Sequence, residues 1–286
     1  MDEAARRARR LWTLTEHIHG VTYFSPEARA AFEEAGLRGF WRGYFAGRAA
    51  PMGPVGSGTV TATFFGFHHD FVSRAVPGVW DLAGPDRALD ARLAGARAAL
   101  EAHAPSADLG AVEEAAGLLV RALEPCSPAG RPLFAANLLL PTPSDPWSAL
   151  WQACTAWREH RGDGHVAALV LAGLDGCSAH VLRVAVQGVP SDELRAARGW
   201  SDEDWSAATA VLIGRGLLDQ DGAPTEAGVA FRTAVEADTD AAAVEPVVRL
   251  GDDVERLDSI LAPIARTISE ARPTPSLNVI GVEPPS

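Results

Sequence analysis

The chain of 286 residues contains no lysine, and arginine supplies all 25 of its basic side chains. This bias fits the codon usage of a genome rich in G and C, and it excludes no class of function. Because 37 acidic residues outnumber the arginines, the net charge is -12 at pH 7. A nucleic-acid binder needs a cationic face for phosphates, and anionic membranes attract basic segments. The charge therefore disfavours nucleic acid as a partner and argues against membrane binding.

Cysteine is scarce, and long apolar runs are absent. Cys126, Cys154 and Cys177 form neither a CxxC motif nor an even disulfide framework, so we expect reduced thiols and a cytoplasmic protein. No run of about 18 apolar residues indicates a membrane span, and the first residues lack the apolar core of a signal peptide. Motifs of serine hydrolases, nucleotide-binding loops and zinc proteases are also missing. The sequence therefore implies no particular cofactor, and we expect no metal.

The hydrophobic pattern has helical periodicity over most of the chain, and 47% hydrophobic residues suffice for a large core. We expect a mostly α-helical fold with an N-terminal helical lobe at residues 1–104 and a C-terminal lobe at 105–271. A proline-rich tail at 272–286 should follow, extended or mobile. Two helix starts are marked by an N-cap residue before proline, at Ser25 and at Asp145.

Residues 163–235 show the clearest organisation, with three helical segments, a short hairpin and a further helix. A helix capped by Ser201 precedes a two-stranded wing near residues 217–225, and Thr225 can cap the next helix. This order resembles MarR-type regulators, in which Gly-Leu-Leu, a short wing and Thr-x-x-Gly follow the recognition helix. The resemblance implies a winged-helix-like unit with a short β-hairpin wing.

The charges of this unit differ from those of a DNA-binding winged helix. Its recognition-equivalent helix begins with Asp202, Glu203 and Asp204, and the tip of its wing carries Asp219 and Asp221. These carboxylates lie where a DNA reader presents cations to phosphates and donors to base edges. We therefore expect negligible DNA affinity and interpret the unit as a scaffold that is used for packing.

The chain as a whole resembles an actinobacterial family labelled helix-turn-helix. The resemblance rests on His-Gly-Val-Thr-Tyr-Phe at 19–24, the aromatic, glycine-rich segment at 40–51, Phe-Phe-Gly-Phe at 64–67 and His-Arg-Gly-Asp-Gly-His at 160–165. It extends over almost the whole chain, and it implies no particular reaction.

The segment at residues 160–165 has the composition of a binding site. We expect one helix to end near Arg161 and Asp163 to cap the next, so that free N–H groups, His160 and Arg161 hold a carboxylate or phosphate. His165 and Asp163 are candidate catalytic residues, with Asp163 orienting a histidine. The alternative is a tight helix corner, in which Asp163 is only a cap and the histidines are satisfied locally. A metal on the two histidines would need a further ligand.

A second group of candidates lies in the first 50 residues. His19, a candidate catalytic residue, and Tyr23, a candidate ligand-binding residue, follow a predicted helix end. Arg42, Tyr44 and Arg48 lie on an aromatic, glycine-rich helix, where stacked arginines can bind an anionic or planar group. The alternative is a capped helix end, core aromatics and surface arginines with buried stems.

We expect the two groups to face each other across a pocket between the lobes, since pockets pair apolar surface with a few convergent polar groups. The leading interpretation is a small-molecule-binding protein or an enzyme, whose ligand carries an anionic or planar group. The alternative is a ligand-responsive winged-helix transcriptional regulator, and an inert interaction protein is the third interpretation. A homodimer is compatible with the sequence, which leaves the ligand, the reaction and the oligomeric state open.

Overall fold

The fold is that of a computed structural model, which describes residues 2–271. The predicted tail at 272–286 lies outside this range. The N-terminal part contains α1 (Glu3–His19), α2 (Val21–Phe24), α3 (Pro26–Glu34), α4 (Phe40–Ala49), α5 (Ser57–Phe64), α6 (His69–Ser73), α7 (Val79–Leu82) and α8 (Pro85–His103). The remainder contains α9 (Leu109–Leu123), α10 (Pro132–Leu138), α11 (Pro146–Leu171), α12 (Gly176–Gln187), α13 (Ser191–Arg198), α14 (Asp202–Gly214), α15 (Glu226–Ala242), α16 (Val244–Leu250) and α17 (Val254–Ala271). The prediction of a mostly α-helical fold is confirmed.

Three clusters of buried side chains form the core. The first joins α1, α9, α16 and α17 to the N-terminal half of α11. The second is aromatic and lies around α3 to α8. The third joins α12, α14 and α15 to the end of α11. Since α11 takes part in the first and third clusters, it is the element that connects them, and the division into lobes at residue 104 stays a prediction.

The central helix α11 runs through the segment where a corner was predicted. It begins at Pro146, as expected, with Asp145 accepting a hydrogen bond from Ser148 N–H at 2.9 Å. It then continues for 26 residues without a break at Arg161. A Cβ atom on Gly164 would lie 3.0 Å from Ala242 Cβ, so this glycine allows α15 to pack closely against α11. The packing outweighs the helix propensity of glycine, which is about 1 kcal/mol worse than that of alanine.

Glycines also explain the packing of the aromatic helix α4. Cβ atoms on Gly43 and Gly47 would lie 3.0 and 2.6 Å from ring atoms of Phe32. Phe32 lies on α3, whose predicted start is confirmed by the hydrogen bond from Ala28 N–H to the Ser25 hydroxyl. The two glycines therefore let α4 pack on an aromatic ring, and α4 then presents Tyr44 and Phe45 to the second cluster.

Helices α13 and α14 are joined by a turn at residues 199–201, in which Gly199 has a φ of 77°. Together with α12 they form what we call the helix-turn-helix unit. Ser201 and Asp204 form a capping box at the start of α14, so the predicted cap is confirmed. The predicted two-stranded wing is reduced to one antiparallel bridge between Leu218 and Pro224, and residues 2–271 contain no strand. Asp219 closes the turn by accepting hydrogen bonds from the N–H groups of Asp221 and Ala223. The bridge is made by the hydrogen bonds from Asp219 N–H to the Ala223 carbonyl at 2.9 Å and from Thr225 N–H to the Leu217 carbonyl at 3.1 Å. The pairing ends there because Thr225 is the N-cap of α15.

The unit contacts the aromatic cluster through the loop between α5 and α6. The Gly66 carbonyl accepts hydrogen bonds from His180 Nε2 and Trp200 Nε1, both at 3.1 Å. His68 N–H donates to the Arg198 carbonyl at 2.9 Å. A Cβ atom on Gly66 would lie 2.6 Å from His180 Nε2, so only glycine allows this close contact.

Within residues 2–271 no single helix is long and apolar enough to cross a membrane. In the same range, only the pair α11 and α12, which is bent by 96° between the two helices, has the necessary length and composition.

Candidate functional site

A cavity of about 230 Å³ lies where α4, α11 and the helix-turn-helix unit meet. Helix α11 contributes one face, with lining positions spaced by three or four residues from Arg158 to Leu169. The other walls come from α1, α4, the α5–α6 loop, α12, α13 and α15. Of the predicted site residues, the structure brings four to this cavity: Tyr44, Arg48, Arg161 and His165.

The cavity is rich in arginine, although the chain has a net charge of -12. Among the described residues that line it, only Glu16 and Glu236 carry a carboxylate. Burying a cation is costly unless it is paired, so an excess of arginine in a wall needs a physical reason. The six lining arginines come from five helices: Arg48, Arg158, Arg161, Arg183, Arg198 and Arg232.

Arg48 is held in place by a buried carboxylate on α11. Its Nε and Nη2 atoms donate to Oε1 and Oε2 of Glu159 at 2.9 and 3.0 Å, and its guanidinium lies 4.3 Å from the Phe64 ring centroid. Arg158 Nη1 donates to the same Glu159 Oε1 at 2.9 Å. Burial would raise the pKa of Glu159, but Arg158 and Arg48 outweigh it and hold this pKa far below its ordinary value.

A second carboxylate, on α1, reaches the same wall. Glu16 accepts hydrogen bonds from Trp12 Nε1 at 3.2 Å and from Arg158 Nε at 3.4 Å. Burial raises the pKa of Glu16 more than Arg158 lowers it. Because these bonds are long for charge-assisted pairs, Glu16 compensates Arg158 less well than Glu159 does.

Arg161 lies between an aromatic ring and a buried aspartate. Its Nη2 atom donates to Asp240 Oδ1 at 2.9 Å, and its guanidinium lies 4.1 Å from the Trp12 ring centroid. Asp240 also accepts from Arg9 Nε at 2.8 Å, so two arginines share one carboxylate. The Nε atom of Arg161 is buried and has no hydrogen-bond partner. An unmade hydrogen bond of a buried donor costs about 1–3 kcal/mol.

The helix-turn-helix unit and α15 supply the remaining cations. Burial lowers the pKa of Arg183 to about 10, with Arg232 and Arg198 lowering it further. Burial also lowers the pKa values of Arg198 and Arg232. The Arg198 guanidinium lies 4.3 Å from the Phe67 ring centroid and is hydrogen-bonded to Tyr44. Arg183 thus experiences repulsion from two neighbouring cations, which an anion in the cavity would relieve.

The hydrogen bonds around His165 show which of its ring nitrogens is protonated. Burial lowers its pKa to about 4, so the imidazole is neutral at pH 7. Its Nδ1 atom lies 2.9 Å from Thr239 Oγ1, and the Thr239 hydroxyl donates its proton to the Val235 carbonyl at 2.8 Å. Nδ1 must therefore be the protonated nitrogen, which leaves Nε2 as an acceptor.

His19 and Tyr23 lie beside the main cavity, in a narrow cleft of about 10 Å³ that also contains Glu159. His19 Nδ1 lies 2.9 Å from Thr155 Oγ1, whose proton is donated to the Trp151 carbonyl at 2.9 Å. Nδ1 is therefore protonated, and Nε2 accepts from the Tyr23 hydroxyl at 3.1 Å. Burial holds the pKa of His19 well below its ordinary value and raises that of Tyr23.

Tyr44 lies on the main cavity, on the narrow cleft and on a third cavity of about 430 Å³ next to α2 and α3. Arg48 Nη1 donates to its hydroxyl at 3.4 Å, and its ring centroid lies 5.1 Å from that of Tyr23. Burial would raise the pKa of Tyr44, but Arg48, Arg198 and Arg158 outweigh burial and lower it. Tyr44 is thus the side chain that joins the two predicted groups of residues.

Besides His19 and Tyr23, three predicted residues do not line the main cavity. Arg42 is exposed and donates to the Arg38 carbonyl at 3.4 Å. His160 is buried and packs edge-on against Phe134, with ring centroids 4.9 Å apart. Asp163 accepts a hydrogen bond from Phe134 N–H at 2.9 Å, in the first turn of α10. Asp163 therefore caps a neighbouring helix rather than its own.

The sequence reasoning missed several residues of the site: Glu16, Arg158, Glu159, Arg183 and Arg198. One signal was available. When residues 158–169 are interpreted as one helix, their arginines and His165 share a face at spacings of three and four residues. No comparable signal marks Arg183 and Arg198, because only the tertiary fold brings the helix-turn-helix unit to the cavity.

The structure defines an all-helical protein in which a helix-turn-helix unit closes one side of an arginine-lined cavity. The model of the helix-turn-helix family matches residues 8–275, so the chain belongs to this family. The match includes the N-terminal helices, whereas the MarR-type pattern in the sequence is confined to the unit itself. Comparisons with curated proteins and with solved structures gave no significant match.

Proposed function

We propose that the protein binds a small molecule carrying a carboxylate or phosphate group in the arginine-lined cavity. The observation that carries the proposal is that six arginines and only two carboxylates line this cavity, counted over the described residues. Guanidinium groups present planar, paired donors that match the oxygens of both anions. The buried Nε atom of Arg161, which has no partner, adds a donor that such an oxygen can satisfy.

The aromatic walls support a ligand with a small apolar or planar part. Three arginines lie over rings at 4.1 to 4.3 Å from the ring centroids, on Trp12, Phe64 and Phe67. The rings restrict the guanidinium groups, so that less conformational entropy is lost on binding. A volume of about 230 Å³ is at the small end for ligand pockets and favours a ligand of few atoms.

The enzymatic form of the proposal assigns proton transfer to His165. Its Nε2 lone pair is available, and an anion bound nearby would raise the pKa of His165 from about 4 towards neutrality. The His19–Tyr23 pair is separated from the main cavity by Tyr44 and is the second candidate for this role. Asp163 loses support as a catalytic residue, since its carboxylate is bound to Phe134 N–H.

Calorimetric titration with inorganic phosphate and with small carboxylates tests the proposal. Arg183→Met removes a lining cation whose Nε atom donates to the neutral side-chain amide of Gln187 at 3.0 Å. We expect its Kd for the anion to rise at least about tenfold, the equivalent of one hydrogen bond or about 1.4 kcal/mol. Arg42→Met, which changes an exposed arginine outside the cavity, should bind like the wild type. Failure of the wild type to bind any of these anions, or equal losses in both variants, would overturn the proposal.

A second candidate function is a ligand-responsive transcriptional regulator. Membership of the helix-turn-helix family favours it, and so does the position of the cavity, whose walls include Arg183 on α12 and Arg198 on α13. A ligand bound there would contact the unit directly and could shift its position relative to α4. The MarR-type resemblance supports the same function.

The charges of the unit speak against strong DNA binding. Arg195 is paired with Asp192 and Asp202, and Arg215 donates to the Ala172 carbonyl at 3.0 Å. These cations are therefore engaged within the protein rather than free to meet phosphates. Mobility-shift assays on genomic fragments, with and without phosphate, should show no binding below micromolar concentrations. Salt-sensitive, sub-micromolar binding to a natural operator would make the regulator the better proposal.

We also propose a cytoplasmic location. The three cysteines are free and buried, as expected of thiols in a reducing compartment. Fractionation of cells that express the full chain tests this.

A further inference from the structure

Three potential metal ligands from separate parts of the chain meet outside the arginine-lined cavity. Cys126 follows α9, His160 lies on α11 and Glu245 lies on α16. Their ligand atoms, one sulfur, one ring nitrogen and one carboxylate oxygen, all lie within 4.8 Å of one another. Cys126 and His160 are buried and Glu245 is half-buried, so the group is closed on one side and reaches solvent on the other.

His160 is the member of this group that lacks an explanation in the fold. It is 1% exposed, and its Nε2 atom is buried without a hydrogen-bond partner. The ring lies beside the Cys126 sulfur and the Glu245 carboxylate, within 4.8 Å of both. A neutral imidazole is the form that binds metals. An orphaned ring nitrogen beside a thiol and a carboxylate therefore points to a ligand between them.

The other two members of the group are held by weak contacts that an ion can replace. Cys126 Sγ donates to the Ala122 carbonyl at 3.2 Å. Glu245 accepts from Ser127 N–H at 3.4 Å and pairs with the exposed Arg249 at 3.6 Å. Exposed ion pairs of this kind contribute little to stability, so losing the contact with Arg249 costs little.

We propose that Cys126, His160 and Glu245 bind one zinc ion, with water as the fourth ligand. Sulfur, imidazole and carboxylate are the ligand types that zinc accepts in tetrahedral sites. Thiolate and carboxylate together neutralise the divalent charge, so the loaded site carries no net charge that would repel the nearby Arg131 and Arg249. Binding of the ion by the Cys126 sulfur releases the thiol proton to solvent. This proposal departs from the sequence-based expectation of no metal.

The site was invisible in the sequence because its ligands are not close together there. The spacing from position 126 to 160 and from 160 to 245 matches no zinc motif, since such motifs place two ligands within a few residues. Only the packing of α16 and the segment after α9 against α11 brings the three together. Zinc bound here would tie these parts to each other, which predicts a higher Tm for the zinc-loaded protein.

Titration of the chelator-stripped full chain with cobalt(II) tests the proposal. Cobalt bound by a thiolate gives a charge-transfer band in the near ultraviolet and d–d bands whose strength reports tetrahedral geometry. We expect one equivalent to bind, zinc to displace it and Cys126→Ser to abolish the charge-transfer band. Cys154→Ser and Cys177→Ser change the other buried cysteines and should leave the band intact.

Two further variants separate loss of a ligand from loss of the fold. His160→Gln and Glu245→Gln should each weaken zinc affinity by at least about tenfold, since even partners outside the first shell are worth that much. Circular dichroism shows whether each variant is folded. Absence of stoichiometric cobalt or zinc binding in the wild type overturns the proposal, as does a charge-transfer band that persists in Cys126→Ser. Phosphate affinity should be the same in the stripped and loaded protein, so the result is independent of the arginine-lined cavity.

Discussion

Arg48 and Glu159 are joined by two hydrogen bonds, although 111 residues separate them in the sequence. The pair connects the aromatic cluster around α4 to the central helix α11, and Glu159 is 1% exposed. Glu159 also binds Arg158, so one carboxylate compensates two buried cations. Glu159 is therefore the carboxylate that the two arginines share, although Arg158 also reaches Glu16 at 3.4 Å.

Removing that carboxylate should destabilise the protein strongly. Glu159→Ala leaves Arg48 and Arg158 without their common partner, and breaking a buried pair from one side typically costs about 3–5 kcal/mol. Urea unfolding measures the change in the free energy of unfolding. Glu113→Ala, at an exposed position on α9, is the control and should change stability by less than about 0.5 kcal/mol. Similar effects of the two substitutions would show that the pair is not the connection described above.

Two glycines on α11 offer a test of its continuity. Gly164→Ala should destabilise, because the new Cβ would meet Ala242 Cβ and an Arg131 nitrogen at 3.0 Å. Arg131 cannot move away freely, since it donates to the carbonyls of His160 and Ala242. Gly162→Ala meets only Glu159 at 3.4 Å and should stabilise the helix by about 0.5–1 kcal/mol.

The same pair of variants distinguishes a helix from a corner. In a corner, position 162 would follow a helix end in a left-handed conformation, where alanine is unfavourable. A loss of stability in Gly162→Ala, measured by thermal unfolding, would therefore support the corner over the continuous helix.

Local signals predicted the helix starts but not the course of α11. Ser25, Asp145 and Ser201 were identified correctly, because an N-cap acts through N–H groups two or three residues away. The corner at residues 160–165 was predicted wrongly, because the atoms that require a glycine at position 164 belong to Ala242 and Arg131, which are remote in sequence. Tertiary contacts of this kind leave no local signature.

The sequence predicted some residues of the candidate site and missed others. Arg48, Arg161 and His165 were chosen for their chemistry, and the structure brings them to one cavity. His160 was chosen for its nearness to Arg161 in sequence, yet successive helical residues point in different directions, so it faces Phe134 instead. Arg198 carried no signal, because its contact with Tyr44 depends on how the helix-turn-helix unit packs.

The half-buried His180 should make the protein lose stability in mild acid. Desolvation, with Arg198 and Arg183 acting in the same direction, lowers its folded pKa to about 3, whereas the unfolded chain titrates near the ordinary value of 6.5. The stabilisation is therefore complete above pH 6.5 and is lost as the pH falls towards the folded pKa. Between pH 7 and pH 5 the free energy of unfolding should fall by about 2 kcal/mol more in the wild type than in His180→Gln. Parallel stability profiles of the two proteins in urea would contradict this.

Asp163 should act in the opposite direction. Burial raises its folded pKa to about 6, above the ordinary value of 3.8, so the folded state holds the proton more tightly than the unfolded chain. Its contribution is complete below pH 3.8 and is lost as the pH rises through 6. Asp163→Asn keeps an oxygen for Phe134 N–H and removes the titration. From pH 4.5 to pH 6.5 the free energy of unfolding of the wild type should fall by about 2 kcal/mol relative to that of this variant. A wild type that instead becomes less stable than the variant as the pH falls would contradict the prediction.

A bound anion should change the titration of His165. Its pKa is about 4 in the free protein, because burial disfavours the charged ring. Saturating phosphate should raise this pKa by at least about one unit, since an anion nearby favours the imidazolium. Nuclear magnetic resonance of the ring nitrogens measures the shift. Arg183→Met, with weaker phosphate binding, should show a smaller change at the same concentration, and an unchanged pKa in the wild type would separate His165 from the binding site.

Because α11 is continuous, it fixes the relative positions of the residues with which it lines the cavity. Arg158, Arg161 and His165 project from one rigid rod with a rise of about 1.5 Å per residue, so their mutual spacing is set before any ligand arrives. A flexible corner could adjust to ligands of several shapes, and it would lose conformational entropy on binding each of them. A continuous helix does not change its backbone on binding, which favours a narrow range of ligands and fast association with little rearrangement.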